Sequence, residues 1–97
     1  MYVKFHIKGD RTVVAICDED LIGKTFEDKK ACVEITERFY KGEKKTEKEV
    51  VVILQEATNI NIIGKKSIAL AIKQGILDKE AVRKIKRIPH AQIYEGN

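Results

Sequence analysis

Several groups of side chains in this 97-residue chain have types and spacings suited to chemistry. Gly23-Lys24-Thr25 has the ending of a phosphate-binding loop, in which backbone amides and a lysine cradle a polyphosphate. The glycine that such a loop needs five residues earlier is Asp18 here, and Asp18, Glu19 and Asp20 repel phosphate. The segment therefore reads as a turn, with Lys24 kept only as a candidate anion contact. Cys17 and His90 are the candidates for a nucleophilic pair, with Asp18 beside them. A histidinium near a thiol lowers its pKa and makes thiolate, whereas the three acidic residues after Cys17 act in the opposite direction. Cys17, Cys32, His6 and His90 include no CxxC or HxxxH pair, so no metal site is expected, and no cofactor motif is present.

Two further segments point to binding. Arg83-Lys84-Ile85-Lys86-Arg87 is the densest basic run. Read as a helix, it places Arg83, Lys84 and Arg87 on a common flank around a buried Ile85, a patch that neutralises phosphates without reading sequence. The plainer alternative is an ordinary solvated face. In Pro89-His90-Ala91-Gln92 the proline fixes φ and extends the residue before it. His90 and Gln92 then share one face of an extended run, a donor/acceptor pair held as a recognition edge. An edge strand whose His and Gln satisfy nearby backbone groups is the competing explanation.

The elements that must position these residues are legible in outline. Tyr2 to Lys8 alternates strictly, Gly9-Asp10-Arg11 turns, and Thr12 to Cys17 returns, which predicts a hairpin. Ala31 to Ile35 reads as a third strand, and Thr36 to Lys45 as a loop anchored by Phe39-Tyr40. Thr46-Glu47-Lys48-Glu49 is a capping box. It opens a helix with Val50, Ile53, Leu54 and Ala57 on one face, and Val51 and Val52 make it apolar nearly all round. Asn59 to Gly64 reads as a buried strand or extended link. Lys65 to Gln74 reads as a second helix, with Ile68, Ala69, Ala71 and Ile72 inward and Gly75 as its stop. Asp78 caps a third helix with Ala81, Val82 and Ile85 inward. Arg87 to Tyr94 runs extended. The order β-β-β-α-β-α-α-β gives an α+β (mixed α/β) fold, a single layered sheet with helices packed on it. Residues 1–97 are expected to form a single domain, with 93–97 as a frayed tail.

Composition narrows the setting. Charged residues make up 35% of the chain and the net charge is +4, which permits contact with nucleic acid or an acidic partner without demanding it. The start of the chain lacks the apolar core of a secretion signal, and no apolar run approaches a membrane span. A cytoplasmic protein with reduced thiols is expected.

Three stretches together resemble a small archaeal family described only as a domain of unknown function, number 424. They are Cys17 to Phe26, then Ala57-Thr58 with Asn61 and Gly64, then Pro89-His90-Ala91-Gln92. The resemblance covers Met1 to Gln92. It implies a compact archaeal cytoplasmic protein with no enzyme activity to transfer, and it favours an RNA- or ribosome-associated role.

The leading expectation is a non-enzymatic accessory protein that binds RNA or a translation component. Its candidate contacts are Lys24, Asn61, Gly64, Arg83, Lys84, Lys86, Arg87, His90 and Gln92. The second reading is a small enzyme or ligand-binding domain built from the Cys17 to Lys24 loop, Asn61 and His90. The third is a structural or oligomeric module that buries the helix at Val50 to Leu54 in a dimer; the chain is expected to be a monomer or a homodimer. The arrangement of the three stretches separates the first two: convergence on a polar pocket at one end of the sheet favours the second, and a flat basic face flanked by them favours the first.

Overall fold

The computed structural model describes residues 1–94. Strands β1 (Tyr2–Lys8) and β2 (Arg11–Cys17) form the expected hairpin, paired from Tyr2↔Cys17 to Lys8↔Arg11. Gly9 at φ +63° supplies the left-handed position in its two-residue turn. A 3-10 turn (Glu19–Leu21) leads to β3 (Thr25–Glu27) and β4 (Cys32–Glu34). Then come a short helix α1 (Glu37–Tyr40), β5 (Glu43–Lys44), helix α2 (Glu47–Glu56), β6 (Asn59–Ile63) and helix α3 (Lys65–Lys73). A second 3-10 turn (Lys79–Ala81) precedes β7 (Arg83–Ile85) and β8 (Ile88–Tyr94).

Six strands form one sheet in the order β5-β1-β2-β6-β8-β7, and β3-β4 form a separate two-stranded sheet. Among the described residues only β2 and β6 pair in parallel. Their register, with that of the antiparallel pairs, lines up two rows across the sheet: Tyr2, Cys17, Ile63, His90 and Arg83, then Lys4, Ala15, Asn61 and Gln92. These rows share one face, because alternate residues of a strand point the same way. The opposite face carries Val3, Val14, Ile16, Ile60, Ile62 and Ala91, and α2 and α3 cover it with Val50, Leu54, Ile68, Leu70 and Ala71. On the first face a smaller cluster of Cys17, Ile63, Leu21 and Ile35 is roofed by Phe26, Val33 and Tyr40.

The α+β class is the one expected, and several details differ from it. The third strand does not join the main sheet; it pairs with β3, whose polar sequence gave no strand signal, in a separate two-stranded sheet. The Thr36 to Lys45 loop contains α1 and β5. Helix α2 is not buried all round, since Val52 is 52% exposed. In α3, Ser67 and Leu70 face inward while Ala69 and Ile72 face outward. The third helix is only a 3-10 turn, and Arg83 to Arg87 is strand and turn. Ile93 and Tyr94 continue β8, paired with Ile60 and Asn59, so no frayed tail begins at 93; residues 95–97 lie outside the described ones. Among the described residues no helix is long and apolar enough to cross a membrane.

Candidate functional site

Three neighbouring strands bring four polar side chains to the open part of the sheet. Asn61 on β6 lies opposite Gln92 on β8, and His90, two residues before Gln92, lies opposite Arg83 on β7. Residues directly opposite in an antiparallel pair have Cβ atoms about 5 Å apart, so these four groups are neighbours. They line a groove of about 440 Å³ whose other wall is Tyr40 and Val33.

Helix α1 and strand β4 supply that wall. Thr36 caps α1 by accepting the Phe39 N–H at 3.1 Å. The helix is then pinned to β1: the Phe39 ring stacks on His6 with centroids 4.5 Å apart, and the Phe39 carbonyl is 2.7 Å from His6 Nε2. A carbonyl only accepts, so Nε2 carries the proton. Lys4 Nζ donates to the Arg38 carbonyl. Tyr40 is thereby turned over the Cys17–Ile63 patch at the groove's edge.

Pro89 also has a local reason. Gly64 N–H donates to the Pro89 carbonyl at 2.9 Å, so residue 89 faces the end of β6. The Gly64 carbonyl that a donor at residue 89 would meet already accepts from Ile68 N–H, as the first bond of α3. The missing N–H of proline costs no ladder bond there, although β8 is an inner strand.

Electrostatics separate the candidates. Burial, and then the Arg83 guanidinium, hold the His90 imidazole below its ordinary range, so it is neutral at neutral pH. Burial raises the Tyr40 phenol and keeps it protonated. The groove thus offers two amides, a neutral imidazole, a phenol and one cation, and among the described residues its lining holds no carboxylate and no thiol.

Cys17 and Asp18 serve other purposes. Cys17 is fully buried, and its thiol is pushed up to about 12, first by burial and then by Asp18. It supplies no thiolate at neutral pH, and Ile63 stands between it and His90 in the row. Asp18 is 7% exposed. Its carboxylate accepts from Lys66 N–H at 3.0 Å, Ser67 N–H at 2.8 Å and Ser67 Oγ at 2.6 Å. It therefore caps α3 from a distant part of the chain, where the local N-cap, Gly64, has no side chain. Gly64 sits at φ +118°, and a Cβ there would lie 2.3 Å from Asp18 Cγ.

The three stretches singled out in the sequence meet in two places. Asp18 and Gly64 join at the start of α3, while Asn61, His90 and Gln92 join in the groove. The bonds from Asp18 N–H to the Ile63 carbonyl and from Gly64 N–H to the Pro89 carbonyl tie the two together. Lys24 is exposed on the turn before β3 and does not line the groove. Lys84 points to the opposite face from Arg83, and Lys86 and Arg87 form the β7–β8 turn, so the basic run does not make one flank. Tyr40 and Val33 went unrecognised as site residues. Their signal was the Thr36 cap and the apolar character of Phe39-Tyr40.

Among the described residues no three His, Cys, Asp or Glu side chains assemble as metal ligands. A second groove, about 350 Å³, lies between Phe5, Val14, Ile53 and Ala57. It is rimmed by Asp10 and Glu56 without a cation, which suits an anion less well than the first.

A family model described as "Protein of unknown function (DUF424)" matches residues 5–95. The crystal structure of an uncharacterized conserved protein from Methanopyrus kandleri is similar at 27% sequence identity, over 96% of this chain and 89% of that one, with a TM-score of 0.78. No curated protein matches the chain.

Proposed function

The chain belongs to the DUF424 family, and we propose that it is an accessory protein that binds single-stranded RNA on the open face of its sheet. One observation carries this reading: Asn61, Gln92, His90 and Arg83 converge in a groove that has recognition groups but no carboxylate or thiol among its described lining. Neutral amides and imidazole suit the edges of an unpaired base, and a guanidinium suits a phosphate. Tyr94 shares the face of Gln92 and is 64% exposed, a platform on which a neighbouring base stacks. The net charge of +4 favours the encounter. A setting in translation, with RNA in or beside the ribosome, is the one the family resemblance favours.

Fluorescence anisotropy with labelled homopolymeric RNA oligonucleotides tests the reading at two salt concentrations. Binding is expected to weaken as salt rises. Arg83→Ala should weaken every oligonucleotide by about tenfold, whereas Asn61→Ala and Gln92→Ala should change the ranking of the bases. Absence of binding to any oligonucleotide at low salt and micromolar protein removes this function.

A further inference from the structure

The turn joining β7 to β8 is built from the wrong residues for its shape. Ile85 pairs with Ile88, which leaves Lys86 and Arg87 as a two-residue connection. Both lie in the left-handed region, at φ +50° and +68°. A hairpin turn of this geometry calls for Asn-Gly or Asp-Gly, because a Cβ is strained there. Ile85 is 2% exposed and fixes the length of the turn from below. The chain thus accepts a strained backbone at a site where two small residues would relieve it, and what it gains is two exposed cations at the tip.

Arg83, Lys84, Lys86 and Arg87 are all exposed, and none forms an ion pair among the described residues. Lys41, Lys44 and Lys45, the other dense basic stretch, are each paired with a glutamate. Arg83 lines the groove, and at about 3.3 Å per residue the tip lies roughly 10 Å further along the same hairpin. One nucleic-acid strand can touch both.

We propose that Lys86 and Arg87 form a phosphate clamp, which takes the phosphodiester backbone of a strand leaving the groove and is indifferent to its bases. The proposal rests on the RNA-binding reading and adds to it a second, sequence-independent contact. A tip of this kind sets position while the groove sets preference.

The test uses the full chain, two double variants and the same oligonucleotides. Lys86→Asn with Arg87→Gly relaxes the turn and removes both charges. Lys86→Gln with Arg87→Gln removes the charges and leaves side chains that keep the strain. Both are expected to bind RNA about tenfold more weakly than the parent at moderate salt, with the same ranking of bases. The slope of log affinity against log salt should fall by about 1.4, for two lost contacts to a single strand. The Asn-Gly variant alone should gain about 5 °C in Tm. If the parent binds RNA and both variants keep its affinity and salt slope, the clamp is overturned and the groove reading stands. If the parent binds no RNA, both fall. An unchanged or lower Tm for the Asn-Gly variant overturns the strain argument and the clamp with it.

Discussion

The carboxylate of Asp18 receives three hydrogen bonds from the first turn of α3, and the space beside it is left open only because residue 64 is glycine. Removing a buried acceptor strands its donors, so Asp18→Ala should cost about 3 kcal/mol in denaturant unfolding. Gly64→Ala should cost at least as much, from the clash with Asp18 and the positive φ together. In the Asp18→Ala background the clash is gone, and the glycine substitution should cost visibly less; simple additivity would contradict a direct contact. His90 gives a pH signature. Its folded pKa lies below the ordinary 6.5 of the unfolded chain, so the unfolded state takes up its proton first as pH falls. The contribution of His90 to stability is full above about pH 6.5 and is lost as pH drops through the lower folded value. Unfolding midpoints between pH 5 and 8 should vary less in His90→Gln than in the parent. At this scale the sequence was readable where chemistry follows alternation: His90 and Gln92 share a face because they are two apart in a strand. It misled at Asp18, which stood beside Cys17 and His90 among the candidates for a catalytic site. Nothing local reveals that a helix beginning nearly fifty residues later has a glycine where its cap should be.

Helices announced themselves where their signals are local. Thr46 Oγ1 accepts the Glu49 N–H at 3.3 Å, and the Glu49 carboxylate accepts the Thr46 N–H at 3.0 Å, as the capping box requires. Thr46→Ala should lower stability by about 1 kcal/mol, measured by chemical unfolding, without altering the groove. Gly75 closes α3 with a paired set of bonds, Gly75 N–H to the Ile72 carbonyl and Ile76 N–H to the Ala71 carbonyl. The segment after Asp78 shows where such signals fail. Asp78 does cap a turn, accepting the Glu80 N–H, but the spacing of Ala81, Val82 and Ile85 fits a helix and a strand about equally. Tertiary pairing with Ile88 to His90 decided for the strand. Strand β3 is too short and polar, and helix α1 too short, to be read from pattern. They persist because Phe26, Val33 and Tyr40 cover the apolar patch around Cys17 and Ile63.

Across the whole molecule the fold class followed from the order of apolar segments, whereas the order of strands in space did not. A parallel pair between β2 and β6 and an inner position for β8 come from long-range packing of the two sheet faces, which no local pattern encodes. The inner position of β8 bears on how the protein is made. Until Tyr94 has been synthesised, one edge of β6 lacks its partner, and the apolar row of Ile60 and Ile62 has an open flank. Strand β7 reaches the sheet only through β8. The hairpin that closes the sheet also carries Arg83, His90 and Gln92, so a nascent chain halted short of it has neither a finished core nor a groove. Completion of the sheet and completion of the groove therefore come in one step, the docking of the β7–β8 hairpin on β6.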